Sequence, residues 1–162
     1  MTKKDIQFTV DVYNNAEELS AEDAALVSKA REITSMAYAP YSKFLVSAVA
    51  KLSNGQEVIG TNQENASYPV AICAERVLLS SAAMLYPNVS IETMAISYKN
   101  LNGESDKPIS PCGMCRQALS EYEERTKHPI RLLLSGVKGE VFVIQTAKQL
   151  LPLTFTSGDL KQ

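Results

Sequence analysis

Three cysteines constrain this chain more than any other feature. Cys112 and Cys115 stand at i and i+3 in Pro111-Cys112-Gly-Met-Cys115, and Cys73 opens the triplet Cys73-Ala-Glu75. Two cysteines with that spacing at the start of a helix lie on one face, so both sulfurs can reach one tetrahedral metal. A helix N-terminus also favours thiolate over thiol, and thiolate is the form that binds metal. Alone, a C-x-x-C is ambiguous, because a redox dithiol or a structural half-site uses the same spacing. Cys73 supplies a third thiolate at a second expected helix start. Three protein ligands leave one tetrahedral position open for water, the pattern of a catalytic site rather than of a closed structural one.

Glu75 sits two residues beyond Cys73, near enough to reach such a water. A carboxylate there can take a proton and pass it to a leaving amine. Zinc deaminases combine a three-cysteine site with a glutamate that is not a ligand, so the pattern points to that chemistry. Three thiolates around one zinc ion leave a net charge of about −1, which weakens the pull of the metal on its water. Arg76 follows Glu75 directly and is expected to hydrogen-bond one or more thiolates and offset that charge.

Composition narrows the partners. The chain has 162 residues, 16 basic and 18 acidic, for a formal net charge of −2, and 45% of it is hydrophobic. That length and apolar content suit one globular domain, residues 1–162, that needs no staples. The charge offers no footprint for a phosphate backbone, so nucleic acid is not an expected partner. No run approaches the roughly 20 apolar residues that span a bilayer, so no membrane partner is expected either. The N-terminus lacks a continuous apolar h-region, which makes the cytoplasm the default location. Three cysteines, an odd number, suit metal binding better than a disulfide framework.

Periodicity predicts an α/β domain. Residues 5–13 alternate, with Ile6, Phe8, Val10 and Val12 on one side, and read as a half-buried strand. Ser20-Ala-Glu-Asp23 reads as a helix start, and the helix is expected to run to Tyr38 before Pro40 stops it. Asn54-Gly55 predicts a hairpin between 45–52 and 56–60. Helices are expected over 73–85 and 112–126, strands over 91–98, 130–135 and 140–144, and a short helix near 146–151.

These segments resemble cytidine deaminase, in its small three-cysteine, homotetrameric class. The resemblance rests on Ala37-Tyr-Ala-Pro-Tyr-Ser-Lys-Phe44, Asn62-Gln-Glu-Asn-Ala-Ser-Tyr68, Cys73-Ala-Glu-Arg76, Ser110-Pro-Cys-Gly-Met-Cys-Arg-Gln117 and Leu150-Leu-Pro152. They follow one another in the family's order over roughly residues 22–160, with residues 1–20 an extension outside it. The resemblance implies a three-layer α/β/α sandwich on a five-stranded mixed sheet; the N-terminal strand-like segment, outside the resemblance, is expected to add either an edge strand or an intersubunit contact. It implies one zinc ion per subunit and the hydrolytic deamination of cytidine or deoxycytidine, as in pyrimidine salvage, with Glu75 as the proton carrier. It implies that Asn62 and Glu64 hydrogen-bond the ribose 3′-hydroxyl and that Phe44 packs against the nucleoside. Ala74 would hold the polar edge of the pyrimidine, and Phe155 and Tyr68 would cross to a neighbouring subunit's site.

The chain departs from the family pattern at Leu45-Val-Ser47-Ala-Val49, where Ser47 replaces a common glycine, and at Pro69-Val-Ala-Ile72. Both departures are expected near the pocket. Two other functions compete. One is a related small-molecule deaminase, such as one acting on blasticidin S; the other is a non-catalytic structural zinc protein, which would need a fourth protein ligand. His128, the single histidine, reads as a solvated turn residue, and Glu121–Glu124 as a solvated helix face.

Overall fold

The structure, a computed structural model, describes residues 1–160. Among these residues six strands form one mixed sheet in the order β1-β6-β5-β4-β2-β3. The strands are β1 (Asp11–Tyr13), β2 (Phe44–Leu52), β3 (Glu57–Thr61), β4 (Ile91–Asn100), β5 (Arg131–Ser135) and β6 (Val141–Ile144). Only the β4–β5 pair is parallel; the other neighbours run antiparallel. Three α-helices cover the sheet: α1 (Ala21–Ile33), α2 (Ala74–Leu85) and α3 (Gly113–Thr126).

Local chemistry sets most of the ends. The Ser20 hydroxyl accepts a hydrogen bond from the Asp23 N–H at 3.2 Å and caps α1. Gly55, at φ +81°, makes the tight turn between β2 and β3. Lys127, in the left-handed region at φ 54°, closes α3. α1 stops five residues short of the expected Tyr38, because the Tyr38 N–H is drawn to the Asn62 carbonyl at 3.1 Å in an extended bridge.

Two cores make three layers. α1 lays Leu26, Val27, Ala30 and Ile33 against Val49, Ala95, Leu133 and Val143 on one face. α2 and α3 lay Leu78, Leu79, Ala82 and Leu119 against Ala48, Ala50, Met94, Ile96 and Leu132 on the other. The alternation of β2 therefore sends even-numbered residues to the α2/α3 face and odd-numbered ones to the α1 face.

Three further expectations change. The N-terminal segment is not a strand over 5–13: only 11–13 pair, with β6 at the sheet edge, and they form the sixth strand. Val10 packs on the core, but Ile6, Phe8 and Val12 are exposed, because an edge strand this short has nothing on its outer side. Glu123 is not on a solvated face. It is buried, and its Oε1 accepts hydrogen bonds from the Ile130 N–H (2.7 Å), the Ala147 N–H (2.9 Å) and the Thr146 hydroxyl (2.9 Å). Its Oε2 accepts from the Lys148 N–H at 3.2 Å, so one carboxylate holds the start of β5 and the turn after β6 to α3. Ser47, the third, is not a pocket wall. It is fully buried on the α1 face and donates its hydroxyl to the Ala30 carbonyl inside α1.

Candidate active site

Cys73 is the N-cap of α2, Cys112 is the N-cap of α3, and Cys115 lies in the first turn of α3. Neither helix start has a side-chain cap, so both leave backbone N–H groups and a positive helix end towards the sulfurs. The Sγ atoms of Cys73 and Cys112 are 3.8 Å apart and those of Cys112 and Cys115 are 3.5 Å apart. All three lie within 4.8 Å of one another. A tetrahedral zinc with bonds of about 2.3 Å needs its sulfurs about 3.8 Å apart. The donor set fits zinc by type and by spacing.

Cys73 and Cys115 are pushed in opposite directions. A hydrogen bond from Cys115 draws the Cys73 thiol down to about 6, against burial and the Glu75 charge, with help from Cys112 and Arg76. Cys115 is pushed the other way by the same pairing with Cys73 and by burial. A cluster that cannot ionise all its thiols alone is one that a dication completes.

Glu75, in the first turn of α2, is 4% exposed. Burial pushes its carboxyl above the ordinary value, against its own backbone N–H and the neighbouring Cys115 thiol. A carboxyl raised in this way keeps its proton to a higher pH than a free one, the direction that suits a group that both takes and gives a proton. Ala74 between them is fully buried. Arg76 is half-buried and among the described residues forms no hydrogen bond to a sulfur; its charge acts on Cys73 through space.

The residues expected around a substrate are held by the backbone beside them. Asn62 Oδ1 accepts from the Val46 N–H at 2.8 Å, and its Nδ2 donates to the Phe44 carbonyl at 2.9 Å, as a neighbouring strand would. Phe44, on the α2/α3 face, stacks on Tyr98 with ring centroids 4.8 Å apart. Glu64 Oε2 accepts from the N–H groups of Tyr41 (2.9 Å) and Ser42 (3.2 Å). Burial raises the Glu64 carboxyl, but these bonds and the Lys43 charge outweigh it and leave it below its ordinary value. Glu64 and Tyr68 share a cavity of about 400 Å³ with Tyr41, Ser42, Asn65 and Ala71, so the 69–72 departure does border a pocket. Neither the cysteines nor Glu75 line that cavity. Tyr68 is 72% exposed and Phe155 59% exposed, and the Phe155 carbonyl accepts a hydrogen bond from Gln117 Nε2 of α3 at 2.9 Å.

Gly60 completes the placement of the site, and its role follows from the structure rather than from any motif. A side chain there would put Cβ 2.4 Å from the Ala74 carbonyl oxygen and 2.6 Å from the Leu78 N. Only glycine lets β3 approach the first turn of α2 so closely. A glycine inside an expected strand is the signal that marks such an approach.

Residues 20–128 match the family model described as the cytidine and deoxycytidylate deaminase zinc-binding region. The cytidine deaminase of Halalkalibacterium halodurans is 33% identical over 135 residues, covering 83% of this chain and 95% of the relative. That of Sporosarcina psychrophila is 32% identical, covering 83% of this chain and 92% of the relative. Among solved structures, the cytidine deaminase of Burkholderia pseudomallei is similar with a TM-score of 0.71 at 35% identity, over 85% of this chain and all of that one. Fold and family together define a hydrolytic deaminase with a zinc-binding region, and three of its cysteines are grouped so that they could hold a metal ion. The chain belongs to the cytidine and deoxycytidylate deaminase family.

Proposed function

We propose that this chain catalyses the zinc-dependent hydrolysis of cytidine and deoxycytidine to uridine and deoxyuridine with release of ammonia. The observation that carries this reading is the convergence of three sulfurs, from two helix starts, with a buried carboxyl two residues beyond the first of them. Cytidine deaminases among the relatives support the choice of substrate.

Cys73, Cys112 and Cys115 hold the zinc, one ion per subunit. The bound metal supplies a Lewis acid that makes the attacking water more acidic. Glu75 takes one proton from that water and delivers it to N3 of the pyrimidine; it then takes the second proton from the oxygen newly bonded to C4 and gives it to the departing amine, so that C4 keeps a carbonyl and ammonia leaves. Its raised proton affinity suits both directions of transfer. Arg76 and the two helix ends offset the charge of the thiolates.

Phe44 packs against the nucleoside, the Ala74 backbone binds the polar edge of the base, and Asn62 and Glu64 bind the ribose 3′-hydroxyl. Asn62 and Glu64 are already anchored by β2 and by the 41–42 backbone, which pre-orients them at little entropic cost. Tyr68 and Phe155, exposed in a single chain, serve a neighbouring subunit's site in a homotetramer. The whole chain acts as one domain in cytoplasmic pyrimidine salvage.

The test is steady-state turnover, followed by ultraviolet absorbance, on cytidine, deoxycytidine and blasticidin S, with zinc measured on the same sample. Turnover of the cytosine nucleosides by zinc-loaded protein is expected. Activity on blasticidin S alone, or none at all with zinc bound, overturns the reading.

A further inference from the structure

We propose that a second site, on the α1 face of the sheet, binds a phosphate group through Arg31 and Lys99. It lies on the face opposite α2 and α3 and does not depend on the reading of the metal centre.

Arg31 stands in the last turn of α1, and its Nε donates to the Gly136 carbonyl at 2.9 Å. Its Nη2 is buried and has no acceptor among the described residues. Among the described residues Arg31 also forms no ion pair. A half-buried guanidinium held through Nε, with no anionic partner among the described residues, carries a charge suited to an oxyanion from outside the chain.

The sheet register brings a second cation to the same place. Lys99 on β4 is paired with Leu45 on β2, and both line a cavity of about 440 Å³ together with Arg31, Ser35 and Val137. That volume is within the range of small-ligand sites. Glu32 is the one acidic side chain among the described lining residues, so cations outnumber it two to one. The carbonyls that end α1 are partly satisfied already: Thr34 donates its hydroxyl to the Arg31 carbonyl at 2.7 Å, and Ser35 to the Glu32 carbonyl at 3.0 Å. Their repulsion of an anion is reduced accordingly.

One pairing further along the same face, Ser97 stands opposite Ser47. Ser97 is fully buried, and its Oγ has no hydrogen-bond partner among the described residues. Arg31 Nη2 and Ser97 Oγ are thus two incompletely bonded polar groups on one face, of which Arg31 alone lines the cavity. Elsewhere in native interiors such groups are rare, and each calls for a partner.

The shared chemistry is a phosphate dianion, whether free or as the monoester of a sugar. Isothermal titration of the full zinc-loaded chain with inorganic phosphate and, separately, with ribose 5-phosphate tests it, with sodium chloride matching the ionic strength. Saturable binding of at least one phosphate is expected, and the relative affinities identify the source. Arg31→Gln is expected to weaken binding by about tenfold or more, the scale of one charge-assisted contact. Lys99→Gln, at an exposed position that leaves the fold intact, is expected to weaken it severalfold, and it decides the matter if the Arg31 variant fails to fold. No saturable heat from either phosphate, or affinity unchanged in Lys99→Gln and in any folded Arg31 variant, overturns the proposal and leaves the Arg31 N–H to water.

Discussion

The sulfurs of Cys73 and Cys112 lie 3.8 Å apart although 39 residues separate them in the chain. Each is the N-cap of its own helix, so the geometry of the proposed metal centre is the geometry of two helix starts. Removing the metal should therefore loosen both. Zinc-depleted protein is expected to melt at a lower temperature and to recover on addition of zinc. Cys73→Ala should lower zinc affinity by more than about 100-fold, the upper end of what outer partners of a metal site are worth. Metal analysis and thermal denaturation on the same sample check both.

Glu75→Gln keeps the size of the side chain and removes its proton chemistry. Zinc content and melting temperature should stay near those of the parent protein, while kcat falls by about 10²–10⁴-fold, the usual contribution of a general acid–base group. Full activity in this variant would remove the proposed mechanism.

Gly60→Ala adds a single methyl group where β3 meets α2. The obstructing atoms are backbone, so the helix start itself must move. Stability is expected to fall by about 1–3 kcal/mol. Zinc affinity should fall with it, because Cys73 and Glu75 ride on that turn. Urea unfolding and metal titration separate the two effects.

Ser47→Ala tests the correction made to that position. The hydroxyl clamps α1 to β2 on the face away from α2 and α3. A loss of about 1 kcal/mol is expected, the scale of one buried hydrogen bond. KM for a nucleoside should be unchanged; a shifted KM with normal stability would return Ser47 to the pocket.

Arg131 donates to both oxygens of Asp23, at 2.7 and 2.8 Å, and ties β5 to the first turn of α1. This pairing holds the Asp23 carboxyl below its ordinary value of 3.8, against some burial. The folded value is the lower one, so its stabilisation is complete above the ordinary carboxylate value. It is lost as pH falls from there through the folded value. The pair is partly exposed, which limits its worth to about 1 kcal/mol. Arg131→Gln should flatten this part of the acid-unfolding curve and leave stability at pH 7 lower by that amount.

Much of the site was legible because its parts are local. Two cysteines three residues apart at a helix start share a face whatever the rest of the chain does. The caps at Ser20, Cys73 and Cys112 and the turn at Asn54-Gly55 are short-range signals of the same kind. Glu123 was not legible, since it looks like its acidic neighbours until β5 and the turn after β6 bring four donors to it. Residues 5–13 misled for the same reason: alternation marks an amphipathic strand but does not supply a neighbour to pair with.

The sequence by itself determined the donor atoms, their spacing within each helix start, and the carboxyl beside them. Tertiary structure decided which residues share a face and which helix starts meet. Register sends Phe44 towards α2 and α3 and Ser47 towards α1, although three positions separate them. α2 precedes β4 in the chain and α3 follows it, and both helices lie on the same side of the sheet. That common side, set by long-range strand pairing rather than by any local preference, is what brings Cys73 to Cys112 and Cys115.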